Sequence, residues 1–444
     1  MQHKETHLAL SSAGQARAAT GLVGTMGGRQ NVPLSIPLPF LLTGIVASAC
    51  FGLLLPWTIA EALLAPDFPH VLTLVHIVTL GWLTMSVMGA SLQLVPVIIA
   101  APLRATRFLR WQYPLYTSGV ILLLSGFWWM LPWLMIIGGG LIVLAVLHYI
   151  TVLAVTFAHT STCPLTVQYL IASLTYLMLV VSLGLTAALN FQYQFLTTGF
   201  DHLLLSHITL GILGWLSCTL IGVSYTLVRM FALAHGHHDR LGKLIFWLLN
   251  LSIVVLASGF SLAWQALLIG GGLLLIGTIW LFAYDYGQML RMRRRKILDV
   301  TQYHGIASIG YLVLVVPFGV AAALLGWRQP TVLTALALAA LVGWLGQSII
   351  GYLYKIVPFL IWQQRYGPLV GRQKVPLMRE MLHERWAWAS WWLINGGLII
   401  VILASLLSPW LWLVQLASIV LASGFFLAML NIFGVVRHLR SHAP

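Results

Sequence analysis

Charge is what this chain has least of. Only 7% of its 444 residues are Asp, Glu, Lys or Arg, and just 9 are acidic. A soluble domain carries about a quarter charged residues. Cysteine is also rare. Cys50, Cys163 and Cys218 form no metal-type spacing, and they read as small packing residues with no disulfide framework. Short alternating segments of the kind that build a membrane β-barrel are missing. The polar first thirty or so residues, with Gly21, Gly24, Gly27 and Gly28, lack the apolar core and cleavage site of a secretory signal and read as a flexible tail.

What fills the chain instead is apolar sequence, 60% of all residues, gathered in long runs. About twenty apolar residues cross roughly 30 Å of hydrocarbon as a helix, and backbone groups in lipid must bond within their own segment. The expected fold is therefore all-α. About twelve membrane spans are placed near 34–56, 70–99, 111–129, 131–157, 164–189 and 202–232, then 241–262, 264–289, 304–326, 331–361, 386–407 and 409–436. Residues 1–33 and 438–444 would be cytoplasmic tails around a single membrane domain over 34–437.

The formal net charge of +14 invites a nucleic-acid partner, and its distribution rejects one. With both termini inside, 22 of the 23 Lys and Arg fall on the cytoplasmic side and only Arg328 lies outside. This is the positive-inside pattern, and it sets topology and contact with anionic lipid. Acidic residues avoid the membrane centre. Glu61, Asp67 and Asp201 fall at outer span ends and Asp285 near the inner end of span eight, which argues against a pump driven by a carboxylate relay.

An internal repeat organises the spans. GWLTMSVMGASLQLVP (81–96), GWLSCTLIGVSYTLVR (214–229) and GWLGQSIIGYLYKIVP (343–358) stand 133 and 129 residues apart, four spans each time. This predicts three pseudo-symmetric four-helix arcs, over about 34–157, 164–289 and 304–436. Trp82, Gly89 and Pro96 are seven apart, as are Trp215, Gly222 and Arg229, and Trp344, Gly351 and Pro358. The spacing predicts one helical stripe in each copy, with the glycine admitting a neighbouring helix.

Histidine is the ionisable residue that does enter the spans, with fifteen in the chain. His76 lies about two turns into span two from outside, and His207 about one turn into span six, with His202 at its mouth. His70 opens span two, His148 is in the inner half of span four, and His304 opens span nine from the cytoplasmic side. Neutral imidazole is a common iron and copper ligand, and haem needs one or two such ligands facing an apolar slot. No single helix supplies a chelating i,i+4 pair, so a site would be assembled between helices. A lone membrane histidine is equally suited to interhelical hydrogen bonding. His235, His237 and His238 read as a solvated basic loop, Lys355 as snorkelling to the inner surface, and the loop 363–385 as ending in a short interfacial helix.

Twelve spans in three arcs, with histidines entering spans two and six from outside, resemble the subunit I superfamily of haem–copper oxidases and nitric oxide reductases. HIVTLGWLTMSVMGASLQLVP (76–96) looks like a ligand-bearing helix of its C-type branch, and the pattern and length are similar to the NnrS family. The resemblance implies a bacterial inner-membrane protein that handles electrons, nitric oxide or metal, with redox partner subunits. It implies haem as cofactor, leaves copper open beside it, and makes His76 and His207 the metal ligands. His202 and His304 are further cofactor-binding candidates, His304 for a second site or a quinone. The chain departs from the family at span ten, where Leu338 and Leu336 stand at the places equivalent to His76 and His207, and at span seven, which has no histidine. An intact terminal oxidase or proton pump is therefore not expected. The other expectations are a permease for a small neutral or apolar solute and a cofactor-free scaffold of the same fold.

Overall fold

Apolar runs bounded by proline and glycine become helices with defined starts and stops. Pro37, Pro69, Pro132 and Pro330 occupy the first turns of four helices, where a missing N–H costs nothing. Asp299 caps another through a capping box with Gln302. Gly326 ends that helix at φ +68°, a left-handed conformation that favours glycine.

The computed structural model describes residues 32–440, except 235, 295, 296, 408 and 409. The expected tail over 1–33 therefore lies almost wholly outside the described residues, as does most of 438–444. Twelve long helices follow in order: α1 (Pro37–Leu64), α2 (Pro69–Ile98), α3 (Leu109–Trp128), α4 (Pro132–Ala158), α5 (Leu165–Tyr193) and α6 (Phe200–Ala232), then α7 (Arg240–Ser261), α8 (Gln265–Arg291), α9 (Val300–Leu325), α10 (Pro330–Arg365), α11 (Glu384–Leu407) and α12 (Leu411–Val436). Eleven are long and apolar enough to cross a membrane. The exception is α3, whose first turns carry Arg110 and Gln112. No strand forms among the described residues; one isolated bridge joins Ala234 to Arg293. Consecutive helices pack as hairpins, most extensively α1–α2, α5–α6 and α11–α12, and α12 returns to lie against α1.

Three helices depart from α geometry at the same repeat register. Ile77–Thr84 in α2, Leu210–Ser217 in α6 and Ala339–Gly346 in α10 are π-helical, each ending two residues past its repeat tryptophan. Such segments are rare and concentrate at functional sites. They divide the expected Trp–Gly stripe. The i→i+5 winding turns less per residue, so Gly81 and Gly89, eight apart, both face α1 at Ala47 and Phe40. Trp82 instead packs on Phe425 of α12. The other copies repeat this: Gly214 and Gly222 face Tyr176 and Tyr169 of α5, and Gly343 and Gly351 face Tyr311 and His304 of α9. The close helix approach expected from glycine is present in all three.

The tryptophans link one copy to the next. Trp215 Nε1 donates to Thr84 Oγ1 at 3.0 Å, and Trp344 Nε1 to Ser217 Oγ at 2.9 Å. Thr84, Ser217 and Gly346 hold the same repeat position. Trp82 completes the circuit sterically, because a Cβ on Gly346 would stand 2.5 Å from its ring. Glycine offers no hydroxyl, and Trp82 Nε1 is buried without a partner.

The hairpin α3–α4 depends on backbone contact. A Cβ on Gly138 would meet the Leu123 backbone N at 2.4 Å and the Gly119 carbonyl at 2.7 Å, whereas one on Gly140 would meet nothing within 4 Å. Backbone cannot swing aside as a side chain can. Gly138→Val is therefore expected to destabilise by about 3 kcal/mol, and Gly140→Val to be near neutral. Unfolding midpoints of the two variants in mixed micelles check this.

Candidate functional site

His76 stands six residues before Trp82 and His207 eight before Trp215, so they are offset by two residues in the repeat and leave different faces of α2 and α6, each ahead of a π segment. Both are half-buried. His76 Nδ1 lies 2.8 Å from the Leu72 carbonyl one turn earlier, and its ring sits beside Phe127 at 4.7 Å. His207 Nδ1 lies 3.0 Å from the Val180 carbonyl of α5, across a helix interface. Gly184 leaves the space for the His207 ring, since a Cβ there would stand 3.1 Å from its Cε1.

A carbonyl oxygen only accepts, so in each ring Nδ1–H is the donor. In the neutral imidazole this leaves the lone pair on Nε2. A metal-ligating histidine is oriented in the same way, by a hydrogen bond from its other nitrogen. No group of three or more His, Cys, Asp or Glu is placed to hold a metal ion among the described residues. The donor set is thus a pair of imidazoles. It does not supply a third protein donor for a separate copper ion.

The remaining histidines are dispersed. His202 stands five residues before His207 in α6 and so faces a different direction. His70 pairs with Glu61 at 3.0 Å and packs on Trp128. His304 is fully buried in α9, with Nδ1 on Gln347 Oε1 of α10; its Nε2 and the Gln347 amide nitrogen are both unpartnered. His148 makes the same contact with Gln112 of α3 and also leaves Nε2 unpartnered. Neither glutamine stood out in the sequence, because uncharged polar residues in apolar helices give no periodic signal.

In the loop after α6 the expected solvated setting is corrected at His237. Its side chain is 4% exposed, and Nε2 meets Asp285 Oδ1 at 2.7 Å. Tyr225 donates to Asp285 Oδ2 at 3.0 Å. The physical reason is Asp285 itself, a carboxylate 3% exposed that needs a compensating partner, and the loop after α6 folds in to provide one. His235 lies outside the described residues. Lys355 does not snorkel free but pairs with Asp299. The loop 363–385 forms only the short 3₁₀ turns Gly367–Leu369 and Met378–Met381, not an interfacial helix.

No protein-family model matches the chain. A search of curated proteins finds no significant relative.

Proposed function

We propose that this chain is a haem-binding membrane protein with His76 and His207 as the iron ligands. The carrying observation is that both rings are held by Nδ1, on the Leu72 and Val180 carbonyls, and leave Nε2 lone pairs at the same end of the repeat-related helices α2 and α6. In this reading α3 is the twelfth span, the helices form three pseudo-symmetric arcs, and both termini are cytoplasmic. The support is the segregation of Lys and Arg and the shared π register of α2, α6 and α10. When bound, the haem would supply one-electron or gas-ligand chemistry near the outer face of a bacterial inner membrane, with a redox partner as electron source. The chain itself holds the two imidazoles at a set tautomer and lines the site with Phe127 and Val180.

The test is a dithionite-reduced minus oxidised visible spectrum of protein purified from haem-replete cells. A Soret band and an α-band are expected, and His76→Ala or His207→Ala should abolish or shift them while the detergent elution profile stays unchanged. A featureless wild-type spectrum overturns the proposal, as does one identical in both variants.

One observation favours a second reading, passage of a small neutral or apolar solute. Discontinuous helices mark many transporter sites, and the sequence showed no paired breaks. The π segments interrupt α2, α6 and α10 where the three meet. Solute-dependent swelling of proteoliposomes, with a featureless haem spectrum, would support it over the first.

A further inference from the structure

The start of α1, the start of α3 and the C-terminal turn flank a groove at one end of the molecule. Its walls are Leu34, then Leu38 and Leu42 one turn apart on α1, with Tyr113 of α3 and Leu439 of the last turn. That turn, Arg437–Leu439, is held by His438, which bonds to Tyr366 at 2.9 Å. The groove opens to the surface and measures about 500 Å³. A methylene group takes close to the volume of a water molecule, about 30 Å³, so a hydrocarbon chain of roughly sixteen carbons fits. The walls keep no polar group free for it: Tyr113 and Thr43 are bonded to each other through their hydroxyls at 2.8 Å.

Positive charge collects beside the groove. Arg110 stands one turn before Tyr113 and Arg440 directly follows Leu439, with Arg107 and Arg437 one turn further off; all four are exposed. None has an ion-pair partner among the described residues. From Leu34 to Arg110 the only acidic residues are Glu61 and Asp67, at the opposite end of α1, and none follows Glu384. Arg107 and Arg110 lie over the exposed rings of Phe108 and Trp111, at 5.2 and 5.8 Å from their centroids. Aromatic rings and long basic side chains of this kind belong at the headgroup level of a bilayer.

We propose that this groove is a binding site for one anionic phospholipid, with an acyl chain along Leu34, Leu38 and Leu42 and the phosphate at Arg110 and Arg440. Charge complementarity selects this occupant. Basic residues at a membrane surface attract anionic lipid, whereas a zwitterionic headgroup carries a cation that the unpaired arginines repel. The site rests on neither functional reading above and is separate from His76 and His207.

The experiment is photolabelling of the full-length protein in detergent with phosphatidylglycerol carrying a mid-chain diazirine, followed by peptide mapping. Adducts are expected at Leu38, Leu42 and Leu439. Arg110→Ala and Arg440→Ala should each raise the concentration for half-maximal labelling about fivefold, and the corresponding phosphatidylcholine probe should label the groove weakly in every variant. Ser35→Trp, a change at an exposed lining residue, should fill the groove and abolish its adducts. Adducts at lipid-facing Leu314 and Trp247 should stay unchanged throughout, an internal control for folding. With Leu42→benzoylphenylalanine, capture of phosphatidylglycerol is expected. Capture of residues 1–31 of the same chain, or of a second copy, would overturn the assignment. Groove adducts that survive Ser35→Trp in a folded protein would overturn the site, as would adducts confined to lipid-facing positions. Equal labelling by phosphatidylcholine, or by the two arginine variants, would overturn the headgroup assignment.

Discussion

Asp285→Ala is expected to cost roughly 3–5 kcal/mol, the range for breaking a buried pair by removing one partner. The carboxylate accepts from both Tyr225 and His237, so its loss strands a phenol and an imidazole that water barely reaches. His237 Nδ1 is already unpartnered, so the ring has nothing else to hold it. The segment between α6 and α7 should then detach from the end of α8. Limited proteolysis should cut near His237 in Asp285→Ala and spare the wild type. Asp285→Asn keeps an acceptor for Tyr225 and should lose less. An unfolding midpoint in Asp285→Ala equal to wild type would show that the pair contributes nothing.

Gly346→Ser carries the second large effect, in the opposite sense to a simple chemical expectation. Trp82 lacks the hydroxyl that Trp215 and Trp344 enjoy, and serine at 346 would place one at the equivalent position. Its Cβ, however, would stand 2.5 Å from the Trp82 ring, a fully buried indole also packed on Phe425 at 5.1 Å. The ring cannot retreat, and the substitution should destabilise by about 2–3 kcal/mol. Trp82→Phe shortens the ring and removes the stranded N–H. The double variant should therefore be less destabilised than the sum of the singles by about 1–3 kcal/mol. Ser217→Ala makes the reciprocal point, leaving Trp344 in the position of Trp82 at a cost of about 1–3 kcal/mol. Reversible unfolding in mixed micelles measures all four. Additive single and double variants would mean that Trp82 and Gly346 do not sense one another.

Apolar run length, the arginine and lysine asymmetry and the triplicated GWL segment were legible in the sequence. Each is one-dimensional information: composition, position along the chain, or recurrence at a fixed interval. They determined an all-helical membrane protein and the places of its helices, with boundaries within about four residues except at the end of α1, which runs to Leu64 and not to 56. They also pointed to His76 and His207, since an ionisable residue in an apolar run is visible without a fold. The tertiary structure alone decided what these residues touch. The π winding depends on hydrogen-bond choice within the helix, and it put Gly81 rather than Trp82 beside Gly89. The Trp–hydroxyl links run between copies more than a hundred residues apart, and His237 left solvent because Asp285 needed a partner from a distant helix. Length and polarity are properties of a segment and survive without neighbours. Hydrogen-bond partners and helix phase are properties of an interface, and they come into being only when the helices pack.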